Sequence, residues 1–222
     1  MNRRNALITG ASRGIGLAIA NCFKKQGINV LTPQRRELDL FSQDSINKYF
    51  SSLKCPVDIL INNAGVNLLA SIQELTEENI NETLQVNLLA PLRITRKVAL
   101  TMMKRQYGRI VNIGSVWGVI TKQRRITYTL TKSGLHGLTG SLAVELAPYN
   151  ILVNCVAPGY VNTELTKKNN TEDELEIIKK SIPLKRLCEP SEVAELVSFL
   201  CSDKNTYITG QVIAIDGGYL CL

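Results

Sequence analysis

Tyr128 and Lys132, in the stretch Y-T-L-T-K, are the residues whose types and spacing could do chemistry together. The surrounding sequence predicts a helix, and residues four apart on a helix lie on the same face. A phenol ordinarily titrates near pH ~10, and a neighbouring ammonium favours the phenolate and so lowers its pKa. The pair could therefore donate or accept a proton near neutral pH. The alternative is that both side chains lie on a solvated helix face.

Residues 9–16, T-G-A-S-R-G-I-G, form a glycine-rich turn between a predicted strand and a predicted helix. Gly10, Gly14 and Gly16 permit a tight turn and close approach of the backbone to a ligand. The start of the helix offers free N–H groups and a positive dipole end, which suit a pyrophosphate. The spacing G-x-x-x-G-x-G is a variant of the dinucleotide-binding fingerprint and lacks the G-K-[ST] ending of an ATP-binding loop. We interpret it as a dinucleotide site, against the alternative of an unliganded turn.

The segment after the second predicted strand, Gln34-Arg35-Arg36, bears on which dinucleotide is bound. A site for NAD would place an acidic residue there to hold the ribose hydroxyls. Arginine instead suits a 2′-phosphate, because its fork bonds the oxygens and its charge offsets theirs, and Arg13 lies inside the glycine turn. We therefore predict NADP(H), while Glu37 close by keeps NAD(H) as the less favoured alternative.

Composition and charge argue against several other functions. The 222 residues suffice for one domain with a core, and no apolar run reaches the roughly 18 residues of a membrane span. The net charge is +7, but the basic residues are dispersed and carry no nucleic-acid-binding signature. We expect a basic surface suited to small anionic ligands, with no nucleic acid and no membrane as partner.

The cysteines and the single histidine limit the kinds of site that are possible. Six scattered cysteines without a C-x-x-C pair predict free thiols in a reducing cytoplasm, rather than disulfides or a zinc site. His136 alone leaves little scope for a metal cluster or a Ser-His-Asp triad. The N-terminus runs straight into a predicted strand, so we expect no signal peptide.

Apolar strand-like runs alternate with helical segments along the whole chain. This order predicts an α/β fold in one domain, residues 1–222, with a doubly wound, mostly parallel sheet and helices on both faces. The predicted strands are Ala6–Thr9, Asn29–Thr32, Val57–Ile61, Arg109–Ile113, Ile151–Val156 and Gln211–Ile215. The predicted helices are Gly14–Gln26, Asp44–Leu53, Thr76–Val86, Arg93–Arg105, Tyr128–Leu146 and Ser191–Leu200.

The connection after Thr32 is unusually short. Only P-Q-R-R-E separates it from Leu38, whereas a parallel crossover with a helix needs about a dozen residues. If Glu37–Leu40 pairs as a third strand, one covering helix is missing between strands 2 and 3.

Further motifs follow in a fixed order: N-N-A-G at 62–65, Asn87, Ser115, Y-x-x-x-K at 128–132 and P-G at 158–159. Together with the glycine turn they resemble the short-chain dehydrogenase/reductase family over essentially the whole length, which implies a Rossmann-like fold. Within that family the chain is most similar to 3-oxoacyl-(acyl-carrier-protein) reductases, because of N-I-G-S-V-W-G, V-N-C-V-A-P-G, Y-I-T-G-Q and the late D-G-G. Relatives with other substrates share these stretches.

The resemblance implies roles for four catalytic residues. Tyr128 would give a proton to a carbonyl oxygen as hydride reaches its carbon, and Lys132 would lower the Tyr128 pKa and hold the nicotinamide ribose. Ser115 would position the substrate oxygen, and Asn87 would support a water that relays protons from Lys132.

The resemblance also implies the cofactor contacts. Asn63, Ala64 and Gly65 would line the adenosine ribose, and Asp39 would face the adenine. Pro158, Gly159, Val161 and Thr163 would lie near the nicotinamide. The full predicted set is Gly10, Ser12, Arg13, Gly14, Ile15, Gly16, Arg35, Asp39, Leu40, Asn63, Ala64, Gly65, Tyr128, Lys132, Pro158, Gly159, Val161 and Thr163, with no metal ligand. The short connection after Thr32 puts the coverage of adenine, and hence Asp39 and Arg35, in doubt.

Other residues allow two interpretations each. Lys122–Arg125 either binds an anionic handle of the substrate or is a solvated loop, and Trp117 either walls the substrate pocket or simply packs. Lys167–Lys180 predicts an amphipathic helix, which is either a substrate lid or a surface helix. We interpret His136 as a histidine without catalytic duty, the alternative being an interface residue.

The residues and the resemblance together predict an NADP-dependent oxidoreductase that reduces a carbonyl to an alcohol. The resemblance implies a 3-oxoacyl thioester as first substrate and a place in fatty acid biosynthesis. One alternative is an NAD(P)-dependent alcohol or sugar-nucleotide dehydrogenase. Another is a dinucleotide-sensing scaffold without turnover. The apolar surface of the helices within Thr76–Arg105, taken with the family's dimer helices, predicts a homotetramer or homodimer.

Overall fold

The fold is built on one sheet of six parallel strands, and the computed structural model describes residues 3–222. The strands lie in the order β2-β1-β3-β4-β5-β6, so the chain reverses its direction of winding between β1 and β3. A crevice opens at such a switch point, outside the carboxyl ends of the strands. The strands are β1 (Asn5–Ile8), β2 (Asn29–Leu31), β3 (Ile59–Asn62), β4 (Gly108–Ile113), β5 (Ile151–Pro158) and β6 (Val212–Ile215).

Within residues 3–222, eight α-helices connect or follow these strands. They are α1 (Gly14–Lys25), α2 (Gln43–Ser52), α3 (Glu77–Leu84), α4 (Ala90–Arg105), α5 (Ile126–Leu146), α6 (Glu164–Lys168), α7 (Glu172–Ser181) and α8 (Pro190–Cys201). Side-chain oxygens of Ser42, Thr76 and Thr171 accept hydrogen bonds from the first turns of α2, α3 and α7. These caps satisfy N–H groups that a helix start otherwise leaves unpaired.

Two hydrophobic cores lie on opposite faces of the sheet. Successive strand residues point to opposite faces, so Ile8 packs with α1 and α8, whereas Leu7 packs with α2, α4 and α5. β3, β4 and β5 are buried along their whole length, as expected for strands covered on both sides. The predicted doubly wound α/β class is confirmed.

The segment after β2 differs from the strand considered in the sequence. Glu37–Leu40 pairs with no strand, because residues 35–37 form a turn, and the sheet has six strands. Leu38 nevertheless inserts its side chain into the core beside α2. Residues 32–42 contain no helix, and α2 is the single helix between β2 and β3.

The structure differs from the predicted helices at two places. The predicted helices Thr76–Val86 and Arg93–Arg105 are parts of one continuous helical segment, because a π-helical turn at Gln85–Leu89 joins α3 to α4. The predicted helix Lys167–Lys180 is two helices, α6 and α7. Periodicity locates such segments but not their breaks, which depend on local hydrogen bonds.

Candidate active site

The turn between β1 and α1 is packed too closely for side chains. Gly10 has φ of 65°, and a Cβ added there would lie 2.8 Å from Ala64 Cα. A Cβ on Gly16 would lie 2.5 Å from Asn63 Nδ2. Glycine is required at both positions, so the turn lies directly against the N-N-A-G segment after β3.

Hydrogen bonds fix the turn to that segment. Thr9 Oγ1 accepts from the backbone N–H groups of Asn63 and Ala64, both at 3.1 Å. Asn63 Nδ2 donates to the carbonyl oxygens of Thr9 at 2.9 Å and Gly10 at 3.0 Å. Thr9 was not predicted as a site residue, although its place directly before Gly10 in the T-G motif was the available signal.

The N-terminus of α1 faces the crevice without a neutralising group of its own. No side chain caps it, and its first turn contains no acidic residue. The free N–H groups and the positive end of the helix dipole therefore suit an anion. Together with the cradle at Gly10 and Gly16, where side chains would intrude, this donor set fits the pyrophosphate of a dinucleotide.

A cavity of about 540 Å³ lies on one side of the glycine turn, between it and the segment after β2. Seven predicted cofactor residues line it: Gly10, Ser12, Arg35, Asp39, Leu40, Ala64 and Gly65. Residues outside the predicted cofactor set complete the wall: Thr9, Ala11, Thr32, Pro33, Gln34, Leu38, Phe41, Val66, Glu82 and Val86. The mixture of apolar and backbone groups suits a flat aromatic base.

The charged groups near this cavity are arranged by the turn after β2. Arg35 lines the cavity, with its Nε 3.7 Å from Asp39 Oδ1. The carboxylate of Glu37 accepts from the backbone N–H of Gln34 at 2.8 Å and so holds the turn. Arg13 lies outside this cavity and pairs with Glu164 at 2.9 Å.

A second cavity, of about 210 Å³, contains the predicted catalytic side chains Ser115, Tyr128 and Lys132. Gly10 and Gly65 line both cavities, so the two adjoin at the glycine turn. The other predicted residues in its wall are Arg13, Gly14, Ile15, Asn63, Pro158, Gly159, Val161 and Thr163. Gly16 lies behind the turn and lines neither.

Lys132 is held in place within the protein. Its side chain is buried, and Nζ donates a 2.7 Å hydrogen bond to the carbonyl oxygen of Ile113, at the end of β4. The same Nζ lies 5.5 Å from the centroid of the Tyr128 ring. Ser115 is also buried, and its Oγ accepts from the backbone N–H of Trp117 at 3.2 Å, which orients the hydroxyl.

Asn87 lies in the π-helical turn and supports the site from behind. Its Oδ1 accepts from the Val66 N–H, and its Nδ2 donates to the Val66 carbonyl, both at 2.8 Å. Nδ2 also lies 3.3 Å from the Thr131 hydroxyl, on the helix that carries Tyr128 and Lys132. Asn87 therefore links the segment after β3 to α5, and π-helical turns are frequent at functional sites.

His136 and Cys155 lie one layer below the catalytic residues, against the backbone of Gly114. Burial, followed by the charge of Lys132, lowers the pKa of His136. Burial raises the pKa of Cys155 to about 11. His136 Nε2 is buried without a hydrogen-bond partner. Both groups are neutral at pH 7 and line neither cavity.

Trp117 packs in an aromatic cluster and also lines a pocket; that this pocket receives the substrate stays a prediction. It packs edge-on against Tyr160 and Tyr219, with ring centroids 5.8 and 6.1 Å away, and it also lines a pocket next to Ser115 and Tyr128. Ile178 of α7 packs into the same cluster. α7, the second helix of the segment predicted as a lid, therefore packs against two residues of the pocket wall, and opening and closing of this segment stay a prediction.

Three further observations concern residues 3–222. No group of three His, Cys, Asp or Glu side chains there could hold a metal ion. All six cysteines are free thiols. Within this range no helix is both long and apolar enough to span a bilayer.

Known proteins resemble the chain over nearly its full length. Residues 33–220 match a family model described as enoyl-(acyl carrier protein) reductase. The 3-oxoacyl-[acyl-carrier-protein] reductase FabG of Aquifex aeolicus is 40% identical over 238 residues, with 96% of each chain covered. Among solved structures, a 4-hydroxyisoleucine dehydrogenase mutant complexed with NADH and succinate has 30% identity and a TM-score of 0.94, with 99% of each chain covered. A protein described as an NAD(P)-dependent gluconate 5-dehydrogenase, from Beutenbergia cavernae with bound NADP, has 32% identity and a TM-score of 0.93, covering 99% of this chain and 97% of its own.

Proposed function

Because the chain is an oxidoreductase of the short-chain dehydrogenase/reductase family, we propose that it reduces a carbonyl compound to an alcohol with NADPH. The observation that carries this proposal is the convergence of Ser115, Tyr128 and Lys132 on one cavity that continues into the cradle of the glycine turn. When bound, the dinucleotide would supply or accept the hydride. It would be held by the residues that line the two cavities.

The protein's own residues would control the proton and the position of the substrate. Ser115, oriented by the Trp117 N–H, hydrogen-bonds the carbonyl oxygen, and Tyr128 gives that oxygen its proton. Lys132 is fixed by its hydrogen bond to the Ile113 carbonyl, with Nζ 5.5 Å from the centroid of the Tyr128 ring. An ammonium at that place would stabilise charge that develops on the phenol oxygen in the transition state. Asn87 keeps α5 and the segment after β3 in register.

The preference for NADP(H) is supported by the side chains at the larger cavity. Arg35 lines it, whereas Glu37 is engaged in its own turn and does not. Arg13 is paired with Glu164 at the other cavity, so Arg35 is the residue proposed to meet a 2′-phosphate.

A 3-oxoacyl thioester is the first substrate to test, because the FabG relative is described as a 3-oxoacyl-[acyl-carrier-protein] reductase. Consumption of NADPH with acetoacetyl thioester should be measured for the wild type beside Tyr128→Phe. Turnover that disappears in the variant supports both the reaction and the role of Tyr128. Near wild-type activity in Tyr128→Phe contradicts the mechanism.

Oxidation of a hydroxy acid or another alcohol is the second candidate. The solved structures named above support it, since they are described as dehydrogenases of 4-hydroxyisoleucine and of gluconate. The same residues would then act in the reverse direction, with Tyr128 as proton acceptor.

The six free thiols support a reducing compartment such as the cytoplasm.

A further inference from the structure

A small pocket of about 70 Å³ extends from Ser115 and Tyr128, away from the glycine turn. Trp117 and Tyr160 form its aromatic wall, and Asn67 and Arg125 contribute polar groups. Its place beyond the catalytic side chains makes it the space for the part of the substrate next to the carbonyl.

Arg125 is an unusual residue to find in such a pocket. It is only 5% exposed, and its guanidinium lies over the Trp117 ring, 5.2 Å from the centroid. Its Nε is buried without a hydrogen-bond partner, and no carboxylate among residues 3–222 forms an ion pair with it. Two phenols near the guanidinium, those of Tyr160 and Tyr219, supply no negative charge, because burial raises the pKa of both and they are neutral at pH 7. A buried charge of this kind ordinarily has a partner.

The neighbouring basic residues do not share this environment. Arg124 is exposed and pairs with Glu74 at 3.1 Å, and Lys122 is exposed. The backbone of the loop turns at Arg124, which adopts φ of 64°, and the Arg124 carbonyl accepts from the Ala70 N–H at 3.1 Å. Of the Lys122–Arg125 loop, therefore, only Arg125 is directed into the pocket.

We propose that Arg125 binds a carboxylate of the substrate, so that the carbonyl compound is a small keto acid, or the alcohol a hydroxy acid. This inference rests on the proposed function and names its substrate class. A guanidinium can hold a carboxylate through two parallel hydrogen bonds, which fixes orientation as well as charge. Asn67, whose Oδ1 is also buried without a partner, lines the same pocket. A plain acyl chain would leave both groups unpaired.

The test compares acids with neutral molecules of the same shape. Pyruvate, acetoacetate and levulinate, each beside its primary amide, should be reduced with NADPH by the wild type, Arg125→Gln and Lys122→Gln. We expect at least one acid to exceed its amide in kcat/KM by roughly 30-fold or more in the wild type, the scale of a buried charge pair. Arg125→Gln should bring that ratio close to one, and Lys122→Gln, which removes an exposed charge from the same loop, should preserve it.

The ratio separates binding of a carboxylate from a merely structural role, since a misfolded pocket would lower acid and amide together. Equal rates for every acid and its amide in the wild type, or an unchanged ratio in Arg125→Gln, would overturn the proposal. If Tyr128→Phe reduces none of the compounds but still binds the best acid together with NADPH in calorimetry, carboxylate binding by Arg125 is separate from proton donation by Tyr128. If the wild type reduces acetoacetyl thioester but no acid of the panel, the proposed reaction stands and the carboxylate proposal is overturned. If it reduces neither the thioester nor any acid, the proposed reaction has failed. Binding of succinate to the NADPH complex of the wild type, Arg125→Gln and Lys122→Gln then decides the role of Arg125. Binding that is lost only in Arg125→Gln supports the proposal, and a wild type that binds no succinate overturns it.

Discussion

Asn87 and Val66 form a reciprocal pair in which the side-chain amide of one bonds both the N–H and the carbonyl of the other, at 2.8 Å each. An amide side chain is suited to this, because it carries one acceptor and one donor group side by side. The pair closes the π-helical turn onto the segment that lines both cavities. Through this pair Asn87, which lines neither cavity, can hold the lining segment in position.

Asn87→Ala should therefore lower kcat by about 10²-fold, the scale of a misplaced catalytic group. It should also cost about 1–3 kcal/mol of unfolding free energy, because the half-buried N–H and carbonyl of Val66 lose their partner. Asn87→Asp keeps the acceptor for the Val66 N–H but loses the donor, so we expect an intermediate result. Steady-state kinetics and urea unfolding measure the two effects, and a kcat unchanged in Asn87→Ala would contradict this role.

Gly10→Ala should weaken NADPH binding by roughly tenfold or more, since its Cβ would press on Ala64 at 2.8 Å and displace the cradle. Gly27→Ala is the matched control, because Gly27 also has positive φ, 78°, but has open space around it. Both variants should lose about 1–2 kcal/mol of stability from the left-handed backbone. Only Gly10→Ala should change the dissociation constant measured by fluorescence titration, and equal constants in both would contradict the prediction.

Local sequence was sufficient to predict the parts of the site that lie close together in the chain. The four-residue spacing of Tyr128 and Lys132 and the glycines of the turn are such signals, and the structure brings them to one crevice. The hydrogen bonds of Thr9 to Asn63 and Ala64 join residues more than fifty positions apart, so no periodicity could reveal them.

The direction of individual side chains was the other quantity that the sequence could not provide. The Lys122–Arg125 loop read as one basic patch, yet Arg125 is buried and Arg124 is exposed. That difference depends on the backbone of Arg124 and on its contact with Ala70, a residue far along the chain. The segment Glu37–Leu40 was considered as a strand because of its apolar residues. Leu38 is indeed buried, but it packs beside α2 and does not belong to the sheet.

Arg35→Gln should reduce affinity for NADPH by roughly 10- to 100-fold and leave NADH unchanged, because a charged hydrogen bond to the 2′-phosphate is lost. Arg36→Gln is the control, since Arg36 is exposed and does not line the larger cavity. Dissociation constants for both dinucleotides should be measured for each variant. Tighter binding of NADH than NADPH by the wild type would remove the proposed role of Arg35.

Acidification should destabilise the protein through His136. Burial lowers its folded-state pKa below the ordinary value of about 6.5, so between those two values the unfolded chain binds more protons. The free energy of unfolding therefore falls as the pH drops below about 6.5. Urea unfolding of the wild type and His136→Gln from pH 8 to pH 5 should show a difference that changes with pH. A constant difference would indicate that His136 does not titrate between the two states.

The apolar surface of α4 and α5 should mediate self-association, consistent with the expected homotetramer or homodimer. Leu100 and Val144 are 61% and 81% exposed, and burying such side chains between subunits stabilises an oligomer. Val144→Glu should shift the protein to a smaller species in sedimentation velocity. Ile177→Glu is the matched control, because Ile177 is 67% exposed but lies on α7. If both variants sediment like the wild type, α5 is not the interface, since a carboxylate could not be buried there without a partner.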